Sequence, residues 1–135
     1  MKIPFQSDAL GKLILRLTLG SLMLFHGISK GMNPVRTVES MSGRLAAAEL
    51  PTYLAYGVFA GEILAPVLII LGIYSRIGGL MVVINMIFAV LLVHAAQLLT
   101  LTKTGGWALE LQGFYLLTGL ALCFLGSGKL AIRPD

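Results

Sequence analysis

Charge is what this chain has least of. Of its 135 residues, 12% are Asp, Glu, Lys or Arg, against about 25% in soluble globular domains. A polar coat that thin excludes a water-soluble domain as the default, and a 57% hydrophobic content excludes disorder. Cysteine is nearly absent as well. Cys123 stands alone, so the chain has no internal disulfide, no CxxC redox pair and no cysteine-based metal site. No run of Lys and Arg interleaved with aromatics exists to follow a phosphate backbone, so the net charge of +4 does not point to nucleic acid. The cations are scattered singly and read as membrane topology. What is present is a mean hydropathy of +0.90 and the length of one small unit with lipid as its solvent.

A spanning helix needs roughly 20 mostly apolar residues. Four stretches qualify, at about 9–31, 52–74, 77–101 and 107–125. The expected fold is therefore all-α: an integral membrane four-helix bundle forming a single domain over residues 1–135. Lys2 and Lys12 before an apolar run resemble a signal peptide, but no small-residue cleavage site follows and Arg16 interrupts the apolar core, so a retained first helix is expected. Between the first two spans, Asn33-Pro34 supplies an N-cap and a first-turn proline, and Val35, Val38, Met41 and Leu45 recur at helical spacing until Pro51. Arg36, Glu39, Ser40 and Arg44 decorate the other face. That segment is expected to be a short surface helix in the membrane interface, the alternative being a polar loop. With four spans both termini share a side, which collects Lys2, Lys12, Arg76, Lys129 and Arg133; the positive-inside bias puts that side in the cytoplasm of a bacterial inner membrane.

Ionisable groups inside a span cost about 2.5–3.5 kcal/mol each and face the bundle interior. The spans hold Arg16, His26, Lys30, Glu62, His94 and Glu110, with Asn85, Gln97 and Gln112. Two cations match two anions, as burial demands. Arg16 and Glu62 are candidates for a buried pair. Lys30 either joins the pairing or snorkels to the interface. At 100° per residue Arg16, His26 and Lys30 share one arc of the first helix, with Gly20 and Gly27 along it. His26, Lys30, His94, Gln97, Glu110 and Gln112 all fall in the outer half, and Glu62 near mid-membrane. Two histidines and a carboxylate at similar depth (His26, His94, Glu110) suit proton handling or headgroup binding; no metal is assigned. Asn85 lies about 180° from His94 on a continuous helix, which leaves it outside this cluster.

Pro66 withholds a donor from the Glu62 carbonyl, which predicts a bend there. The bend either hosts a polar group or only shapes packing. Gly57, Gly61 and Ala65 form a small-residue stripe for helix packing, against a neighbour in the same chain or a partner. Gly126-Ser127-Gly128-Lys129 lacks the strand and glycine spacing of a phosphate loop and reads as a helix stop. Each half of the chain carries a helix with a late histidine and then a helix with a carboxylate, a faint internal symmetry.

In order along the chain, Arg16 with Gly20, His26-Gly27-Ile28-Ser29-Lys30, Glu62, Leu71-Gly72, Arg76, His94, Gly105-Gly106-Trp107-Ala108-Leu109-Glu110 and Leu125-Gly126-Ser127-Gly128-Lys129-Leu130 resemble the DoxX family of small four-helix bacterial membrane proteins. The resemblance implies that Arg16, His26, Lys30, Glu62, His94 and Glu110 are the family's polar set. It also implies a quinone- or redox-linked role, since relatives include a subunit of an archaeal thiosulfate:quinone oxidoreductase and proteins tied to quinone, catechol or thiol stress.

Three functions compete. The leading one is a membrane accessory or ligand-binding protein, not a stand-alone enzyme. It has an outward-opening polar pocket for a quinone, quinol or similar ligand, no intrinsic cofactor, and a redox enzyme as partner. The second is a small proton-coupled transporter, resembling small multidrug exporters in size. The third is a structural subunit of a membrane complex or homo-oligomer.

Overall fold

The computed structural model describes residues 6–135; Lys2, used above for orientation, lies outside the described residues. Helix α1 runs Asp8–Gly31, started by the Ser7 hydroxyl accepting from the Leu10 amide and ended near the last-turn cation Lys30. Its buried stripe is Arg16, Leu19, Gly20, Met23 and Gly27, the three- and four-residue spacing of a helix face. Helix α2, Pro34–Ala47, is the short helix expected between the spans; Asn33 sits at its N-cap and Leu45 is its buried anchor.

Helix α3, Thr52–Leu71, crosses as one element but changes winding along its length. It opens as a tight turn over Thr52–Tyr56, passes an α turn at Gly57–Phe59, widens into a π segment over Ala60–Leu64 and closes as α-helix over Ala65–Leu71. Pro66 explains the widening: it has no amide hydrogen for the usual bond, and the preceding Ala65 amide reaches five residues back to the Ala60 carbonyl. Gly72, at φ 73°, ends α3 in the left-handed conformation, two residues before position 74 where the hydropathy suggested.

Helix α4 is Ser75–Leu92 and helix α5 is Glu110–Leu125. Both are shorter than the apolar runs that contain them. Residues 93–109 instead make a turn at Ala95–Gln97 and a small hairpin in which Leu101 pairs with Trp107 and the Thr102 amide donates to the Gly106 carbonyl. The Trp107 indole donates to the Leu98 carbonyl at 2.8 Å and pins that loop. Hydropathy counted Leu98, Leu99 and Leu101 as span; they lie on the exposed loop.

Among the described residues three helices (α1, α3, α4) are long and apolar enough to cross a membrane, and α5 is a shorter apolar helix of 16 residues. The core between them is Leu19, Met23, Ala65, Ile69, Val82, Met86, Tyr115 and Leu122. Outside it, Phe25, Phe114, Leu117 and Phe124 are each more than 60% exposed, a surface that lipid covers and water would not tolerate. The molecule is an all-α membrane bundle.

The segment after α5 folds back over the α3–α4 turn. The Asp135 carboxylate accepts from the Arg76 and Ser127 amides, and the Ile132 and Arg133 amides donate to the Leu71 and Gly72 carbonyls. Arg16 ties the same segment from inside: its guanidinium donates to the carbonyls of Ile69, Ile70, Ser127 and Leu130.

Candidate functional site

The π segment of α3 carries Glu62, which is 4% exposed. Lys30, from the last turn of α1, donates from Nζ to both of its carboxylate oxygens, at 2.8 Å to Oε1 and 2.6 Å to Oε2. The lysine neither snorkels away nor is sealed: its side chain is 39% exposed against 5% for the glutamate. The ion pair therefore has one wet edge and one dry side. The α1–α3 approach that makes it possible runs through Gly27, where a Cβ would overlap the Glu62 carbonyl oxygen. That carbonyl, deprived of a donor by Pro66, is covered by packing and is not left open for a ligand group.

Beside the pair lies a cavity of about 450 Å³ between α2, α3 and α4. Its walls are mainly apolar, with Leu54, Val58, Met81, Ile84, Phe88 and Leu92 among them. Its polar groups are Lys30, Glu62, Asn85, His94, Ser40 and Arg44. Apolar walls with a few convergent polar groups are the usual form of a small-molecule site.

His94 stands in a chain of amides. Its Nδ1 lies 2.9 Å from the Gln97 Oε1, and its Nε2 lies 3.4 Å from the Gln112 Nε2. An amide oxygen only accepts, so these partners assign the ring proton to Nδ1 and leave Nε2 as the acceptor. The Gln112 Oε1 is buried without a partner.

Of the expected site residues, Lys30, Glu62 and His94 line the cavity, and Gln97 and Gln112 bracket His94. The other three do not join them. Arg16 does not pair with Glu62; it is held by the four carbonyls described above, and Lys30 is the partner of Glu62. His26 is exposed on α1, edge-on to Tyr115 with ring centroids 6.0 Å apart. About 80° from Arg16 around the helix, it falls at the margin of the buried stripe. Glu110 is exposed in the first turn of α5, where its charge complements the helix N-terminus. His26, His94 and Glu110 share no hydrogen bond among the described residues, and no group of three His, Cys, Asp or Glu there is placed to hold a metal.

The small-residue stripe divides similarly. Gly61 abuts Asn85, whose Cβ would lie 2.6 Å from an added Cβ, and Ala65 is fully buried in the core, both against this chain's own helices. A Cβ added at Gly57 would meet nothing within 4 Å, so this residue packs closely against no helix of this chain and instead lines the cavity. Asn85 was placed outside the cluster by projecting a continuous helix as far as His94. The helix ends at Leu92, and His94, at φ −117° and ψ 11°, turns back to the same cavity. Ser40 and Arg44, on the face of α2 away from its apolar stripe, also line the cavity, and both are exposed at its mouth. A lone amide in an apolar span was the available signal for Asn85.

A bundle of apolar helices around a half-polar cavity defines a small helical membrane protein. Residues 11–95 match the model of the DoxX family, and the chain belongs to that family. It is 30% identical over 129 residues to a Bacillus subtilis (strain 168) protein named "Putative oxidoreductase CatD", a match covering 96% of this chain and 89% of that relative. No solved structure matches it.

Proposed function

We propose that this DoxX-family protein is an accessory, ligand-binding component of a redox process in the bacterial inner membrane, with its termini in the cytoplasm and the cavity opening to the opposite face. The observation that carries the reading is the cavity, in which a half-buried ion pair, an amide and an imidazole converge against apolar walls. A quinone fits that chemistry: its ring and tail match the apolar wall, and its carbonyl oxygens match the Lys30 ammonium and the Asn85 amide. When bound, it would supply two-electron redox chemistry that no residue of the cavity supplies. The chain's own part is to bind and orient the headgroup and to keep water from its buried side. The relative named as an oxidoreductase supports the redox link by analogy.

The test is titration of the protein in lipid nanodiscs with quinones and quinols. Saturable binding is expected, and weakening of about tenfold or more in Glu62→Gln and His94→Ala, the loss of at least one charge-assisted or imidazole hydrogen bond. Absence of saturable binding, or binding that both variants leave intact, overturns the reading. A proton-driven flux across proteoliposomes would favour the transporter instead.

A further inference from the structure

The cavity's polar groups are unequally satisfied, and the imbalance carries a statement about the ligand. Glu62 is the only carboxylate in the lining among the described residues, and both of its oxygens are engaged by Lys30. Arg44, on the same lining, forms no ion pair and no side-chain hydrogen bond among the described residues; neither do the Ser40 hydroxyl and the Asn85 amide. Two cations against one carboxylate leave the cavity net positive. The free hydrogen-bonding capacity is mainly donor: the guanidinium fork of Arg44 and the Ser40 hydroxyl, both on exposed residues, and the Asn85 amide N–H₂ on the α4 wall. A positive, donor-rich mouth over an apolar chamber is complementary to an amphiphile with a negative oxygen at its polar end, and it disfavours a cation.

We infer that the cavity selects amphiphiles whose polar end is an oxyanion, held at Arg44, with the apolar body against the α3 and α4 walls. This rests on the reading of the cavity as a ligand site and narrows its ligand class. The oxyanion could belong to an ionised hydroxyquinone or phenol, or to a lipid-derived carboxylate; the shared chemistry is the negative oxygen on an apolar body.

Two matched pairs of probes separate these sources. Lawsone, a hydroxynaphthoquinone ionised at neutral pH, is compared with its neutral methyl ether, and laurate with lauryl alcohol. Each is titrated into the protein in nanodiscs of zwitterionic lipid. The ionised member of a pair is expected to bind about tenfold more tightly than the neutral one, the magnitude of one charge-assisted hydrogen bond. In Arg44→Gln the ratio is expected to fall to about one, while the control Arg36→Gln, on α2 but outside this cavity's lining, keeps it. Selectivity in the naphthoquinone pair alone supports the inference with an aromatic ligand; selectivity in the alkyl pair alone supports it with a lipid-derived one. Equal binding within both pairs overturns it, as does a preference that survives Arg44→Gln. If lawsone and its ether bind equally, and laurate and lauryl alcohol do so too, the quinone reading stands and the oxyanion inference falls. If laurate is selected and no quinone binds, the reverse holds; if no probe binds, both fall.

Discussion

Helix α1 carries one cation, Arg16, in its buried stripe and another, Lys30, in its last turn, and the bundle treats the two in opposite ways. Arg16 is 1% exposed and has no acid as hydrogen-bond partner; its guanidinium makes four hydrogen bonds, all to backbone carbonyls, at 2.7–3.1 Å. Two of these, Ile69 and Ile70, belong to the last turn of α3, where the helix dipole is negative; the Ile69 carbonyl also accepts from the Gly72 amide at 3.2 Å. Arg16 thus adds a donor at the end of α3 and closes the folded-back C-terminal segment in one arrangement. Lys30 has one acid for a partner and a side chain that is 39% exposed, at the rim of a cavity in which other donors have no partner. Polarity at the terminal end is complete within the protein. At the α2 end it is left over, and leftover polarity is what a ligand can use.

The sharpest way to break the comparison is at Arg16. Arg16→Met takes the guanidinium from four carbonyls and frees the segment after α5, a loss of about 3 kcal/mol or more. Arg16→Lys should lose less, since a single ammonium retains the charge but cannot reach all four acceptors with the guanidinium's fork. Thermal unfolding in detergent measures both. If Arg16→Met unfolds with the wild-type Tm, the carbonyl clasp is not structural and the contrast with Lys30 collapses.

Arg16 also shows where sequence reasoning reaches its limit. That it is buried and polar followed from its place in an apolar run. Its partners did not, because backbone carbonyls at a helix end are invisible in a residue list, and charge counting paired it with Glu62 instead. The four apolar helices and α2 were legible because hydropathy and 3.6-residue spacing are local signals. The ends of α4 and α5 were not, because residues 93–109 are apolar enough to pass for span yet turn on hydrogen bonds such as Trp107 to Leu98. That early helix end brought His94 round to Asn85's cavity. The Lys30, Glu62 and His94 part of the site was therefore readable, whereas Asn85, Ser40 and Arg44 depended on where helices stop and how α2 is rolled.

Gly27 gives a smaller effect at the other end of the comparison. A methyl there overlaps the Glu62 carbonyl, so α1 and α3 must part, at about 1–3 kcal/mol for overpacking. The displaced backbone carries Glu62, so Gly27→Ala should lower both the Tm and the affinity for quinone probes. A variant that loses stability and keeps full affinity would show that the ion pair's geometry does not govern the cavity.

The smallest effect separates packing from cavity on one helix. Gly61→Ala places its methyl 2.6 Å from the Asn85 Cβ and should cost about 1 kcal/mol, the low end of overpacking. At Gly57 a Cβ meets nothing within 4 Å, so Gly57→Ala should change stability by no more than about 0.5 kcal/mol. The decisive variant is Gly57→Leu, whose side chain has the cavity as its open space. It should weaken binding of the amphiphilic probes several-fold while the Tm stays within a few degrees of wild type. Loss of both together would mean that this wall is packed and not open. An unchanged affinity would put the ligand elsewhere than between α2, α3 and α4.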